Sequence, residues 1–459
     1  APARAEQLAA LKLVGHELMN AAELPDHFAA AAAQNDLDPW QRANLVEMRR
    51  QWRHATAVPA DLVAAHTRAC LACEMAWRRA RPANDYAAVL PALSALLALV
   101  RDVAAAKAAA LGKSPYEALL DEYEPDGSVA MIDPLFERLG ASLPGLIEDA
   151  LAAQARRPVP LVPAGPFPIA AQRRAGERLM AALGFDFAHG RLDISLHPFC
   201  GGTPDDVRIT TRYDEADFGR ALMGVLHETG HALYERGLPM AWRRQPVGAA
   251  RGMSLHESQS LLVEMQVCRS REFLDFAAPL LRESFGGRGP AWEAENLYRL
   301  NTRVARSLIR VDADEVTYPA HVILRYRLER ALIDGALDLA ELPAAWNAGM
   351  KELLGVTPPD DRQGCLQDQH WYDGAWGYFP TYTLGAMTAA QLFAAAKRAD
   401  PAILPGIARG EFAPLFAWLK TNVHAKGSRF STAEIIAQAS GGPLDAALYE
   451  RHLRTRYLA

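Results

Sequence analysis

The chain has 459 residues, 50% apolar and 22% charged, with 49 basic and 54 acidic side chains and a net charge of −5. Those proportions exclude the basic footprint of a nucleic-acid binder and the composition of a disordered, collagen-like or low-complexity chain. The longest apolar stretch, Tyr86 to Leu111, is broken by Pro91, Arg101, Asp102 and Lys107. It stays short of the ~18 uninterrupted apolar residues of a spanning helix, so no membrane partner is expected.

Ala1-Pro2-Ala3-Arg4 opens directly into an amphipathic run, without the charged-then-apolar profile of a secretory leader. Apolar residues at three-four spacing predict helices over Ala5–Met19, Pro39–Arg53, Ala60–Arg79 and Tyr86–Ala110. Asp38 and Asp61 stand at their starts as capping residues. Cys70 and Cys73 form a C-x-x-C inside the third of these helices with no second pair, which fits two small side chains on one buried face better than a zinc or redox motif. The remaining cysteines, Cys200, Cys268 and Cys365, make an odd, scattered set. No disulfide framework is expected, and the chain reads as one kept in a reducing cytoplasm.

The Pro-rich stretch from Arg157 to Pro168 marks a connection. After it, Gly190–Leu196 and Asp206–Tyr213 alternate with period two and carry β-branched residues, predicting strands. Ser307–Val316 is a candidate third strand. Helices return from Phe218 and run to the end. No internal repeat or Ser/Gly linker divides the chain. The expected architecture is mainly α: one large helical body over residues 1–459 with a small β-sheet. A division into two lobes around a cleft is compatible with it, and the sequence draws no boundary.

The sharpest motif is His227-Glu228-Thr229-Gly230-His231, an H-E-x-x-H inside the helical pattern Phe218–Arg236. Residues four apart on a helix lie about 40° from each other around the axis and one turn along it, so both imidazoles reach one ion. Glu228, one position on, points beside that ion, where a base must stand to take a proton from metal-bound water. Gly230 inside a helix weakens it by about 1 kcal/mol relative to Ala and is explained where another backbone comes close. A catalytic zinc needs a third protein ligand. Glu257, 26 residues after His231 in Leu255-His256-Glu257-Ser258-Gln259-Ser260, supplies one from a following helix. The alternative for Glu257 is a capping box with Ser254. His256 is a rival ligand, and Glu264 suits a residue that holds a ligand from behind.

At this point the chain resembles the M32 family of metallocarboxypeptidases, the carboxypeptidase Taq type. Five motifs occur in the family's order. D-x-R-x-T is met by Asp206, Arg208 and Thr210, H-E-x-x-H by His227 to His231, and H-E-S-Q by His256 to Gln259. I-R-x-x-A-D is met by Ile309, Arg310, Ala313 and Asp314, and G-x-x-Q-D-x-H-W by Gly364, Gln367, Asp368, His370 and Trp371. The likeness runs from about residue 4 to the C-terminus. It implies a helical fold in which a small sheet lines a long central groove, usually as a homodimer. It also implies an enzyme using zinc or cobalt to remove C-terminal residues from peptides with broad specificity. Two departures stand out: Leu261 takes the place of a family Arg, and the family's usual N-terminal segment is expected to be missing.

A carboxypeptidase must bind a terminal carboxylate, for which the planar fork of Arg is suited. Arg310 and Arg208 are the candidates; each could instead pair with its own motif acid, Asp314 or Asp206. Zinc and a second donor would stabilise the tetrahedral oxyanion; His370, Tyr378 and Tyr382 are the candidate donors, and the alternative for each is an aromatic core cluster. Gln367 and Asp368 read as residues that orient neighbours. The rival functions are a zinc oligopeptidase cutting within short peptides and an inactive peptide-binding homologue.

Overall fold

The structure, a computed structural model, describes residues 2–195 and 198–458, apart from the side chains of residues 2–6 and 9. Four long helices open the chain: Pro2–Met19, Pro39–Thr56, Ala60–Ala83 and Tyr86–Leu111, joined after Met19 by the short Leu24–Ala32. The Asp38 carboxylate accepts from the backbone of Trp40 and Gln41, and the Gln41 side chain accepts from Asp38 N, a complete capping box. Asp61 is not a cap. Its helix starts at Ala60 behind Pro59, and Asp61 lies in the first turn, where its charge favours the helix dipole.

The segment Tyr86–Leu111 corrects the expectation about membrane spans: by length and composition it is apolar enough to cross a bilayer. In this fold it packs along Ala60–Ala83 and buries Val89, Leu93, Leu96, Leu97 and Val100, as a core helix does. Cys73 is buried and Cys70 half-buried on Ala60–Ala83, and all five cysteines are free thiols.

The chain divides into two compact units. The first holds the residues up to Pro144 together with Arg306–Ala313 and Thr317–Thr381; the second holds Gly145–Ala305, Asp314–Val316 and the residues from Tyr382 onward. Among the described residues the first is built of helices and turns, and the second adds the sheet to its helices.

That sheet has strands β1 (Gly190–Ile194), β2 (Phe199–Thr203) and β3 (Asp206–Thr211) in the order β1-β3-β2. β1 runs parallel and β2 antiparallel to β3. Of the expected first strand, Leu196 lies outside the described residues. The third strand is not Ser307–Val316 but β2, whose Phe199-Cys-Gly-Gly-Thr203 lacks any alternation. The 307–316 segment instead forms a short 3₁₀ turn at Arg310–Asp312. Part of its backbone is satisfied locally: Ile309 N donates to Ser307 Oγ and Val316 N to Asp314 Oδ1. Side chains that bond their own neighbours compete with a sheet ladder.

One face of the sheet is buried. Leu192, Val207 and Ile209 join Met180 and Phe185 against Val225 and Ala232 of the helix Phe218–Gly237. The sheet thereby serves as the bed on which the H-E-x-x-H helix lies.

Candidate metal centre

The helix Phe218–Gly237 starts at Asp217, whose carboxylate accepts from Gly219 N and Arg220 N. Its apolar residues Leu222, Val225 and Leu226 are buried, which fixes its rotation and brings His227 and His231 to one side. The next helix, Met253–Leu261, crosses it at backbone contact. A Cβ on Gly230 would stand 2.5 Å from Gln259 O and 2.6 Å from Ser260 Cα, so only glycine fits. On the other flank, a Cβ on Gly385 would stand 2.9 Å from Glu257 Cβ. The capping box of Ser254 with Glu257 does not form: the helix is entered through Gly252 without a side-chain cap, and the Glu257 carboxylate turns to the two histidines.

His227 Nε2 lies 3.8 Å from one Glu257 oxygen and His231 Nε2 3.5 Å from the other. Ligand atoms of His227, His231 and Glu257 all fall within 4.8 Å of one another, and among the described residues no other group of three does so. Two imidazole nitrogens and a carboxylate converging on one point are a donor set that fits a divalent ion such as zinc.

The far nitrogen of each histidine is held. Nδ1 of His227 meets Glu264 Oε2 at 2.9 Å, and Arg269 donates to the other Glu264 oxygen at 2.6 Å. Nδ1 of His231 meets Nδ1 of His256 at 2.6 Å, while Nε2 of His256 meets Glu235 at 2.8 Å. His256 is therefore a support of His231 and lies outside the three-residue group. The pairing is satisfied when His231 carries its proton on Nδ1, leaving Nε2 open as an electron-pair donor. Glu235 and Arg269 were not picked out from sequence; Glu235 repeats the four-residue step His227–His231 once more, a signal that could have found it.

Charges are concentrated here. Burial would lower the pKa of His227, but Glu257, Glu264 and Glu228 outweigh it and raise it. Burial lowers that of His231. Burial raises Glu228 to about 7, with Glu257 and Glu264 adding their repulsion. Glu264 is brought down to about 2: Arg269 and His227 overcome its burial.

A sequence model of the carboxypeptidase Taq (M32) metallopeptidases matches residues 1–457. The chain belongs to the M32 family of metallocarboxypeptidases. It is 39% identical over 467 residues to thermostable carboxypeptidase 1 of Thermus thermophilus, covering 99% of this chain and 91% of that one. Its fold superposes on metallocarboxypeptidase 1 of Trypanosoma cruzi with a TM-score of 0.97 and 42% identity, over 100% and 93% of the two chains. For the M32 carboxypeptidase of Deinococcus radiodurans the values are 0.92 and 36%, over 100% and 92%. With the family come a metal ion and peptide substrates.

The other residues singled out in this M32 chain are distributed between the units. Arg208, on β3, alternates with the buried Val207 and Ile209 and so faces outward; it is half-buried and forms a fork with Asp206 at 2.6 and 2.7 Å. Arg310 is buried, and the carboxylate of its motif acid Asp314 accepts from Ala305 N and Val316 N. Arg310 pairs with Asp368 at 2.9 Å, and the same carboxylate takes Arg325 at 2.5 Å. Gln367 accepts from Arg310 N at 2.9 Å. Gln367 and Asp368 thus fix Arg310 from two sides. His370 packs tilted against Phe379 at 4.6 Å and Tyr378 at 5.5 Å, and burial followed by the charge of Arg310 lowers its pKa to about 4. Tyr378 packs edge-on to Tyr123 in the first unit. Tyr382 belongs to the second unit, which also holds His227, Glu228, His231 and Glu257. Leu261 is buried.

Proposed function

We propose that this metallocarboxypeptidase uses zinc, with cobalt as a substitute, held by His227, His231 and Glu257, and that Glu228 is its general base. The observation carrying this reading is the convergence of the three ligand atoms within 4.8 Å, next to a buried carboxylate whose pKa has moved up to about 7. His227, His231 and Glu257 would hold the ion, which when bound would supply a lowered pKa for water and polarisation of a carbonyl. Glu228 takes the proton of the attacking water and passes it to the leaving amine, a task that requires a pKa near the working pH. His227 and His231 stay oriented because Glu264 and His256 hold their far nitrogens.

Arg310 is the residue proposed to receive the terminal carboxylate of the peptide. Its carboxylate partner Asp368 is divided between Arg310 and Arg325. Burial is the main cause that pulls Arg325 down to about 10, against the charge of Asp368. The planar fork of Arg310 suits a carboxylate, that of a substrate included. His370, Tyr378 and Tyr382 remain the candidate donors to the oxyanion. The reading is completed by a homodimer in the cytoplasm, which sedimentation and cell fractionation test.

The deciding experiment pairs metal analysis of the purified chain with hydrolysis of one peptide in free-acid and C-terminally amidated forms. One zinc per chain and turnover of the free acid alone are expected. Equal turnover of both forms would replace the exopeptidase by an oligopeptidase.

A further inference from the structure

Behind Glu264 the chain departs from an α-helix. Leu262–Val267 is a π turn, marked by the bond from Cys268 N to Val263 O at 2.8 Å, five residues back. Such turns are less stable than α-helix and persist where surrounding contacts hold them. Here the contacts come from the last turn of the C-terminal helix, Ala446–Tyr457. Arg456 donates to the carbonyls of Met265 and of Gln266, the latter at 3.0 Å. It also donates to Glu315 at 3.0 Å.

Glu315 has no exposed surface, and its two oxygens take four partners. Gln266 and His452 meet Oε1 at 2.6 and 2.8 Å; Arg456 and Tyr457 meet Oε2 at 3.0 and 2.9 Å. Three of the four partners lie on the C-terminal helix, and Gln266 lies on the π turn. One buried carboxylate therefore ties that helix to the turn. The turn presents Glu264, and Glu264 holds His227 Nδ1.

We propose that Arg456 and Tyr457 are positioning residues for the metal centre: through Glu315 and the Leu262–Val267 turn they hold Glu264 in place against His227. Arginine is required at 456 because a single planar group must serve two carbonyls and a carboxylate at once, which a lysine ammonium does not match. The proposal rests on His227 being a metal ligand, as inferred above.

The test is the zinc affinity of the full chain, measured by competition with a chromophoric chelator, alongside the thermal midpoint of the metal-free protein. Arg456→Gln is expected to bind zinc about 10–100-fold more weakly, the range found when the partner of a metal ligand is lost. Arg456→Lys should fall between it and the parent. Ile436→Ala, a core truncation in the same unit at a residue 3% exposed, should lower the midpoint and leave zinc affinity alone. Should Arg456→Gln fail to fold, Tyr457→Phe, which removes one hydroxyl, is expected to lose several-fold in affinity. Parental affinity in the Arg456 and Tyr457 variants overturns the proposal, as does an equal loss in Ile436→Ala. His227→Ala separates the two readings. If it keeps parental zinc binding, the ligand assignment itself is wrong and the positioning role falls with it. If it loses zinc while Arg456→Gln does not, the positioning role alone fails.

Discussion

Gly230 and Gln259 are in backbone contact: a Cβ on the glycine would lie 2.5 Å from the carbonyl oxygen of Gln259. The contact sets the distance between the helix that carries His227 and His231 and the helix that carries Glu257. Substituting Gly230→Ala adds about 1 kcal/mol of intrinsic helix propensity, but the clash is with main chain, which no rotamer relieves. Overpacking of this kind costs about 1–3 kcal/mol. A lower thermal midpoint together with weaker zinc binding is expected. A variant with a higher midpoint and unchanged zinc affinity would show that the two helices can part without harm.

Glu257→Gln should loosen the metal. The amide oxygen carries no charge, and the two histidines lose the carboxylate that lies 3.5 and 3.8 Å from them. The loss in zinc affinity should exceed the about 10–100-fold typical of residues behind the ligands. Equilibrium dialysis against zinc checks this. Undiminished affinity would shift the third-ligand role to Glu264 or His256.

Glu228→Gln should behave in the opposite sense. It occupies the same volume, keeps the metal, and loses the acceptor for the water's proton. A fall in kcat of about 10²–10⁴-fold is expected with zinc content unchanged. Loss of zinc from this variant would mean that a ligand has been mistaken for a base.

Arg310→Ala is expected to lower kcat/KM on free-acid peptides by about 2–5 kcal/mol, as for a desolvated charge pair, and to leave the slow rate on amidated peptides as it was. The variant should fold, since Asp368 keeps Arg325. Arg208→Ala is the comparison: an arginine at the surface of the sheet, already paired with Asp206, should change either rate little. Selective loss in Arg208→Ala would transfer the clamp to the sheet.

A pH effect on stability should arise from Glu329. It is buried among three donors, the Tyr116 hydroxyl at 2.7 Å, Trp371 Nε1 at 2.9 Å and Gly377 N at 2.9 Å. Burial nevertheless raises its pKa to about 7 from the ordinary 4.5 of a glutamate. The folded state then keeps a proton that the unfolded chain releases above pH 4.5, so stability falls as pH rises through that window and levels off above 7, by up to about 3 kcal/mol. Glu329→Gln should flatten this dependence. Thermal midpoints of parent and variant at pH 5 and pH 8 check it; an equal pH response in both would remove Glu329 from the account.

Much of this was legible in the chain. The spacing of Leu222, Val225 and Leu226 placed the H-E-x-x-H helix, and the glycine inside it announced the close crossing. The opening helices fell where their apolar periodicity put them, and Asp38 caps as its position suggested. What stayed hidden depends on contacts across long sequence separations. Asp368 takes Arg310 from 58 residues away, a partner to which spacing along the chain does not point. β2 has two glycines and no alternation, and it exists because β3 offers it a ladder. His256 and Glu257 are neighbours of equal chemical promise. Only the rotation of the helix Met253–Leu261 about its axis tells the ligand candidate from the residue that holds His231.

The π turn at Leu262–Val267 also governs how this region can change. A π turn holds one residue more than the α-helix it replaces. Substitution within it keeps that count and can be absorbed. Deleting a single residue acts differently: the turn would tighten to an α-helix, which takes up the missing residue and leaves the side chains beyond the cut where they were. Glu264, inside the turn, would be the residue displaced, and its reach to His227 Nδ1 would go with it. Across natural variants, the number of residues between Glu257 and Arg269 should therefore stay fixed even where their identities drift.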